Sequence, residues 1–283
     1  MSAGESPDRA ARGPLPADAE TLPSPGPVPP RHATPAIEVR GLTHTYADGT
    51  AALRGVDLVV HEGDAVGLIG ANGAGKSTLL RHLNGLLRPS SGSVTVGGIP
   101  VLPAQRAEVL RHVGFVFQDP DDQLFMPTVA EDVAFGPVQL GWPDGQVQAR
   151  VQQALQAVGA THLAPRAPYR LSGGEKRMVA IAGVLAMDPA LLVLDEPSAA
   201  LDPAARRRLI GVLQRLPQTR VIASHDLDLV LECCTRVLLM HEGRLQADGA
   251  PADVFRDGAL LARCGLEPPL AWGGGAAVSA STG

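Results

Sequence analysis

The sequence has little cysteine, few aromatic residues and no long apolar run. Its 283 residues include three cysteines, and aromatic residues make up 3% of the chain. An odd number of cysteines, two of them adjacent, excludes a disulfide framework and lacks the spacing of metal ligands. We therefore expect inert thiols in a reducing cytosol. The cysteines are Cys233, Cys234 and Cys264.

No apolar stretch approaches the roughly 18 residues that a membrane-spanning helix needs. The N-terminus also has no apolar segment of the kind found in signal peptides. A formal net charge of −5 with scattered arginines leaves no basic stripe, which argues against nucleic acid as a partner. Any role at a membrane is therefore expected to depend on membrane partners.

The chain is predicted to contain one large domain between two tails. Residues 1–36 are rich in proline and hold too few bulky apolar residues to offset the entropy of ordering, which predicts a disordered tail. Residues 37–249 alternate strands and helices, with a helical subdomain over about 125–185. Residues 250–283 are predicted to be a short C-terminal extension and a flexible tail. No motif is duplicated, which indicates a single functional unit in this chain.

Apolar runs of strand length end in glycine or polar residues at several points. "AIEVRGLTHTY" and "VDLVV" predict antiparallel strands, whereas "AVGLIG", "LLVLDEP" and "RVIASHD" predict buried strands. "STLLRHLNGLL" predicts a helix, and "RVLLMHEGRLQADG" predicts a hairpin turned near Glu242 and Gly243. Polar residues at the ends of buried strands imply an open α/β sheet with a ligand along that edge. Within the helical subdomain, one helix is predicted to end at Gly159. Its apolar face is formed by Val147, Val151, Leu155 and Val158.

A glycine-rich loop, "GANGAGKST" at 70–78, satisfies G-x-x-x-x-G-K-[ST] between a predicted strand and a predicted helix. Its backbone amides and the helix N-terminus can surround phosphate oxygens. Lys76 is expected to reach the β- and γ-phosphates of a nucleotide, and Ser77 to ligate Mg²⁺. The alternative is a chance glycine-rich turn, which leaves the strand, the lysine and the serine together unexplained. The predicted ATP-binding residues here are Gly70, Asn72, Gly73, Ala74, Gly75, Lys76, Ser77 and Thr78.

Two adjacent carboxylates follow the apolar run "LLVL". Asp195 can hold Mg²⁺ through water, and Glu196 can polarise the attacking water. Alone, an apolar strand followed by Asp-Glu is common and carries little information. Together with the phosphate loop, it is a strong indication of nucleotide hydrolysis.

Four further elements follow one order along the chain: Tyr46, Gln118 after "GFVF", "LSGGEKR" at 171–177, and His225 in "SHD". With the two motifs above, they make the chain similar to the ATP-binding subunits of ABC transporters, from about residue 37 to 249 and weakly to about 266. The resemblance implies an α/β P-loop NTPase with the ABC ATPase fold. That fold has a RecA-like core, an antiparallel β subdomain and a helical signature subdomain.

The resemblance also implies roles for these residues. Tyr46 would stack on adenine, although a tyrosine at a strand edge more often only packs. Gln118 would touch Mg²⁺ and water and sense a membrane partner, and His225 would contact the γ-phosphate. The residues expected to be catalytic are therefore Glu196, His225 and Gln118, and those expected at the Mg²⁺ of MgATP are Ser77, Gln118 and Asp195.

The second glycine-rich segment is expected to serve another chain. Ser172, Gly173, Gly174 and the following helix N-terminus form an anion site, which in the family covers the γ-phosphate bound to a partner's phosphate loop. Two chains, identical or paralogous, would then enclose two nucleotides, with Asp202 in the loop that crosses between the sites. Lys176 and Arg177 are interpreted as a solvated helix face.

Two positions depart from the family's usual pattern. Glu175 stands where glutamine is commoner, as a familiar variant. Ala200 stands where glycine is usual, which could stiffen the crossing loop.

The stretch "FQDPDDQLFMPTVAEDVAFGP", 117–137, resembles the energy-coupling factor branch, the importers of cobalt, nickel and vitamins. It implies a subunit at the cytoplasmic face of the cell membrane, with a membrane coupling subunit and a membrane substrate-binding subunit as partners. Overall likeness favours cobalt or nickel as the cargo. The alternatives are a vitamin of the biotin, thiamine or riboflavin type, or an ordinary ABC importer. A non-transport ABC ATPase is disfavoured by the single unit, the acidic balance and the lack of a long coiled-coil insertion.

Three acids, Asp119, Asp121 and Asp122, follow Gln118 with no lysine or arginine nearby in the sequence. One interpretation is a solvated acidic loop. The other is that these acids receive arginines from the coupling helices of the membrane subunit, because charge-assisted pairs fix the register of an interface.

Overall fold

The computed structural model describes residues 35–271. The predicted disordered tail therefore lies outside the described residues except for Pro35 and Ala36, which already belong to the first strand. The flexible end that was predicted after Ala271 lies outside them too. Within residues 35–271, no helix has the length and apolar character needed to cross a bilayer.

Four antiparallel strands form the smaller sheet, in the order β2-β1-β4-β5. β1 and β2 are the two predicted antiparallel strands, and Ile37 pairs with Val60 across them. Apolar side chains on one face of β1 are buried, including Ile37, Val39 and Leu42. The strands are Pro35–Thr45, Ala51–His61, Ser91–Val96 and Ile99–Pro100 for β1, β2, β4 and β5.

Six strands form the larger sheet, in the order β10-β9-β3-β8-β7-β6. All neighbours are parallel except β10, which pairs antiparallel with β9. The connecting turn has positive φ at Glu242 and Gly243, 47° and 73°, as a two-residue hairpin turn requires. The strands are Ala65–Ile69, Val113–Val116, Leu191–Asp195, Thr219–Ala223, Arg236–His241 and Arg244–Gly249 for β3 and β6 to β10.

Three helices lie within the range predicted for the insert, and one helix ends earlier than predicted. α3, α4 and α5 pack against one another, and Val147 and Leu155 of α4 are buried as predicted. The helix predicted over 77–87 ends at Leu83, because Gly85 has a φ of 72° and the Asn84 side chain accepts a hydrogen bond from the Leu86 amide. In order, α1 to α9 are Lys76–Leu83, Arg106–His112, Val129–Gln139, Asp144–Ala157, Gly173–Ala186, Pro203–Arg215, Leu227–Cys233, Pro251–Arg256 and Gly258–Arg263.

The parallel sheet is buried on both faces. Leu192 and Leu194 of β7 point into a core shared with α3 to α9, whereas Leu191 and Val193 point into a core shared with α1 and the smaller sheet. Burying a side chain of this size stabilises a fold by about 1.5–3 kcal/mol. Because these strands are parallel and clamped between two cores, the loops at their carboxyl ends meet at one edge.

We expect the three thiols to resist alkylation in the native protein. All three cysteines are free and buried, and burial raises the pKa of Cys233 to about 11 and raises the pKa of Cys234 and Cys264 as well. The thiolate is the reactive form, so iodoacetamide at pH 8 should modify the native chain only as it unfolds. Mass spectrometry counts the adducts with and without denaturant, and a cysteine labelled within minutes in the native chain would contradict this.

Candidate functional site

The predicted phosphate loop connects β3 to α1 and folds as a tight turn. Gly70 and Gly75 have φ values of 155° and 103°. A Cβ at Gly70 would lie 2.4 Å from the Met240 carbonyl oxygen, and one at Gly75 would lie 2.7 Å from the Ala52 carbonyl oxygen. Because the loop backbone lies so close to these carbonyl groups, only glycine fits at either position. The backbone amides of the loop line a hollow at the N-terminus of α1.

Lys76 lies inside this hollow. Its side chain is 6% exposed, and its Nζ donates to the carbonyl oxygens of Gly70 at 2.7 Å and Ala71 at 3.4 Å. The same nitrogen is 3.7 Å from Oε1 of Glu196. The ammonium ion is held by two carbonyls and a carboxylate. Together with the helix N-terminus beside it, this positive charge makes the hollow a site for an anion.

Asp195 ends β7 beside the start of α1. Its Oδ1 accepts a hydrogen bond from Ser77 Oγ at 3.0 Å. Burial raises the pKa of the Asp195 carboxyl, the bond from Ser77 opposes this rise, and nearby Glu196 adds to it. The positive charges of Arg81 and Lys76 also oppose the rise, but the pKa stays above its usual value. A hydroxyl and a carboxylate, with the Gln118 amide at the edge of the cavity, form the oxygen donor set that suits a hard divalent cation such as Mg²⁺.

The Glu196 carboxylate lies between His225 and Lys76. Its Oε2 accepts from the His225 amide at 3.2 Å and lies 2.8 Å from His225 Nδ1, while its Oε1 faces Lys76. Because a carboxylate only accepts, His225 Nδ1 carries the proton. Glu196 also has a φ of 45°, a backbone conformation that costs a non-glycine residue of the order of 1 kcal/mol. Strain of this kind concentrates at functional sites.

Tyr46 stands at the mouth of the same cavity, whose volume is about 650 Å³. Its hydroxyl lies 2.9 Å from Thr78 Oγ1, and its ring contacts His44 edge to face with centroids 4.6 Å apart. The ring is therefore packed against a neighbour, while the residue as a whole remains 36% exposed. The packing interpretation and the stacking interpretation are compatible for this tyrosine.

The structure brings most of the predicted site residues to one cavity and leaves one group elsewhere. The cavity is lined by Tyr46, residues 70–78, Gln118, Glu196 and His225. Ser172, Gly173, Gly174 and Asp202 are not among the described residues that line it. Gly173 instead lines a neighbouring cavity together with Gln118 and Asp195, and Gln118 lines both cavities.

Ser172 caps α5 in a reciprocal arrangement with Glu175. Ser172 Oγ accepts from the Glu175 amide, and the Glu175 carboxylate accepts from the Ser172 amide and hydroxyl at 2.8 and 2.9 Å. Hydrogen bonds from the Ser172 amide and hydroxyl lower the pKa of Glu175, so this carboxylate stays ionised. A glutamate at this position therefore orients the Ser172 hydroxyl at the exposed start of the helix.

Asp202 caps α6 and follows a strained residue. Its Oδ1 accepts from the Ala205 amide at 2.8 Å. Ala200, in the same loop, has a φ of 59°, which costs alanine of the order of 1 kcal/mol and glycine nothing comparable. The predicted stiffness of this loop agrees with a backbone that alanine restricts.

The interpretation of Lys176 and Arg177 as a solvated helix face is wrong. Arg177 is 2% exposed, and Lys176 Nζ lies 2.6 Å from Asp121 Oδ1. Both side chains are held because the loop after β6 folds back over α5. The acidic loop therefore has a cationic neighbour, 55 positions away along the chain, that its local sequence does not reveal.

Six lining residues were not predicted from the sequence: Thr50, Ala51, Ala52, Ala71, Gly265 and Leu266. Gly265 and Leu266, which follow α9, form part of the wall near Ala71. They lie almost 200 positions from the phosphate loop, in a segment without a nucleotide motif, so only the packing of α8 and α9 brings them there.

Comparisons with known proteins agree with this geometry. A family model described as ABC transporter matches residues 53–199. A putative ABC transporter ATP-binding protein of Geobacter sulfurreducens is 57% identical over 84% of this chain and 96% of its own length. The energy-coupling factor transporter ATP-binding protein EcfA of Methanothermobacter thermautotrophicus is 47% identical over 82% of this chain and 76% of its own. The structure of cbiO1 from Clostridium perfringens, part of the ABC transporter complex cbiONQ, is 39% identical with a TM-score of 0.73, over 81% of this chain and 94% of that chain.

Proposed function

The chain belongs to the ABC transporter family as an ATP-hydrolysing subunit of the energy-coupling factor type, and we propose that it powers the import of a transition metal ion, cobalt or nickel. The observation that carries the ATPase part is the convergence of Lys76, Asp195, Glu196 and His225 at one edge of the sheet. The likeness of residues 117–137 supports the energy-coupling factor type, and the metal cargo rests on the overall likeness of the chain alone.

In the proposed reaction, the phosphates of ATP lie over residues 70–78 and the adenine stacks on Tyr46. Lys76 then exchanges its carbonyl contacts for the β- and γ-phosphates, which breaks its pair with Glu196. Glu196 becomes free to accept the proton of the attacking water, and His225 contacts the γ-phosphate. Mg²⁺, held by Ser77, Asp195 and Gln118, would neutralise phosphate charge when bound.

We assign Ser172, Gly173 and Gly174 to the nucleotide of a second ATPase subunit, a copy of this chain or a paralogue. The Ser172 hydroxyl lies at the exposed start of α5, and none of the three is among the described residues that line the cavity of Lys76. Two chains facing each other would complete two sites, with Asp202 in the loop that crosses between them. ATP would close this pair and hydrolysis would release it, and the motion would drive the membrane partners.

The surface around Asp122 and Phe125 is proposed to dock the membrane coupling subunit, which works with a membrane substrate-binding subunit. Phe125 and Phe135 form an edge-to-face pair and are 63% and 39% exposed. The neighbouring acids extend this apolar patch with negative charge. A partner helix with arginine beside apolar residues matches both features. The chain would then lie at the cytoplasmic face of the cell membrane.

We expect Asp122→Lys to lower co-purification with the coupling subunit by at least about tenfold, because a like charge would meet the arginine. Asp122 is the informative acid, since Asp121 already pairs with Lys176 and Asp119 accepts from the Asp121 amide. Glu108→Lys, on the exposed face of α2, is the control with the same charge reversal. ATP binding should be unchanged in both variants. Unchanged assembly of Asp122→Lys would remove this surface assignment.

The cargo is tested by uptake in cells that lack the chain. Uptake of labelled cobalt or nickel should be lost and restored by the wild-type chain but not by Lys76→Met. Loss of biotin, thiamine or riboflavin uptake with metal uptake intact would instead support the vitamin importer. Purification with a periplasmic binding protein would support an ordinary importer.

A further inference from the structure

Arg177 is a buried cation without a buried counter-ion. It lies on α5, five positions after Ser172, and is 2% exposed. Within residues 35–271, no carboxylate oxygen lies within 4.0 Å of its guanidinium group. A buried charge is tolerated only where other polar groups compensate for the lost water.

Two consecutive main-chain carbonyls supply this compensation. Nη1 of Arg177 donates to the Phe117 oxygen at 2.6 Å, and Nη2 donates to the Gln118 oxygen at 2.5 Å. The planar guanidinium group thus binds the two peptide groups that flank the Cα atom of Gln118. The side chain of Gln118, one bond away, faces the cavity that holds Lys76 and Glu196.

The other contacts between α5 and this loop lie further from the cavity. Lys176 pairs with Asp121, and the Gln123 side chain donates to the Ala180 carbonyl at 3.0 Å. These contacts fasten residues 121–123. Of the three attachments, only that of Arg177 holds the backbone of Gln118 itself.

We propose that Arg177 is a positioning residue for Gln118, so that the placement of α5 sets the placement of the glutamine in the hydrolytic site. The inference rests on the proposed role of Gln118. Ser172 and Arg177 are about 7.5 Å apart along one continuous helix. Contact of Ser172 with a partner's nucleotide would therefore shift Arg177, and with it the Gln118 backbone, as one body.

A double-mutant cycle on the full-length chain tests this. Arg177→Met keeps an unbranched side chain in the buried position but removes both donors, and it should lower kcat about tenfold with the KM for ATP changed less than about twofold. Gln118→Ala should lower kcat similarly. If Arg177 acts through Gln118, the double variant should be no slower than Gln118→Ala alone. Arg177→Lys, which offers donors without the fork, should recover part of the loss.

Lys176→Met is the matched control, since the neighbouring side chain reaches Asp121 and not the Gln118 backbone. Its kcat should stay within about twofold of wild type. Independent losses, about a hundredfold in the double variant, would overturn the proposal, as would a folded Arg177→Met chain with normal kcat. If Gln118→Ala turns over normally, the role proposed for Gln118 fails first, and the two failures are distinguishable. If Arg177→Met does not fold, the same double-mutant cycle is run with Arg177→Lys, and its double variant with Gln118→Ala is compared with Gln118→Ala alone.

Discussion

Glu196→Gln is expected to lower kcat for ATP hydrolysis by at least about a hundredfold while ATP binding is retained, because an amide cannot accept the proton of the attacking water. Glutamine has the same shape, and its amide oxygen can still accept from the His225 amide that contacts Glu196 now. The backbone strain at this position is unchanged by the substitution. Stalled hydrolysis should therefore accumulate the closed pair of chains.

The test measures phosphate release, nucleotide binding and the mass of the assembly by sedimentation with MgATP. Glu242→Gln is the matched control, since Glu242 is a second glutamate with left-handed backbone, φ 47°, in the turn between β9 and β10. That variant should behave as wild type. Normal turnover by Glu196→Gln would contradict the assignment of the base.

Ser172→Asp is expected to reduce turnover by about a hundredfold or more, because a carboxylate would face the phosphates of the partner's nucleotide. Like charges brought together in an interface cost several kcal/mol. Aspartate also caps a helix, but its carboxylate would lie beside that of Glu175, which now accepts from the Ser172 hydroxyl. The melting temperature is therefore measured for each variant, so that a loss of turnover is separated from a loss of folding. Ser172→Asn keeps the cap without the charge and should be much less impaired. If Ser172→Asp and Ser172→Asn turn over ATP equally fast, Ser172 does not lie near the phosphates of the partner's nucleotide.

The family, the α/β fold class and the ATPase activity, all predicted from the sequence, are confirmed. The prediction succeeded where a functional residue directly follows a stretch whose sequence also identifies it as a buried strand. The runs before Gly70 and Asp195 are entirely apolar, and the strand before His225 ends in Val-Ile-Ala. Parallel strands that are buried on both faces have this pattern. Their polar ends must then meet at the carboxyl edge of the sheet.

The failures concern contacts that no local pattern encodes. α5 packs against α3, α4, α6 and β6, so it has no single polar face, and the burial of Arg177 depends on a loop some 60 residues earlier. The Lys176–Asp121 pair and the wall formed by Gly265 and Leu266 have the same origin. The wrong C-terminal boundary of α1 has another cause. Asn84 and Gly85 are a helix-ending signal in the local sequence, but the apolar residues Leu86 and Leu87 that follow them continue the apolar pattern of the helix.

Mixing two inactive variants tests most directly whether each site is shared between chains. Lys76→Met removes the phosphate lysine and Ser172→Asp spoils the covering surface, and each alone should be inactive. If two copies assemble face to face and exchange freely, half of the dimers in an equal mixture contain one chain of each kind, with one intact site. We predict that mixing restores up to about one quarter of wild-type turnover. A mixture no more active than its separate components, or full turnover by a strictly monomeric Ser172→Asp chain, would contradict the account.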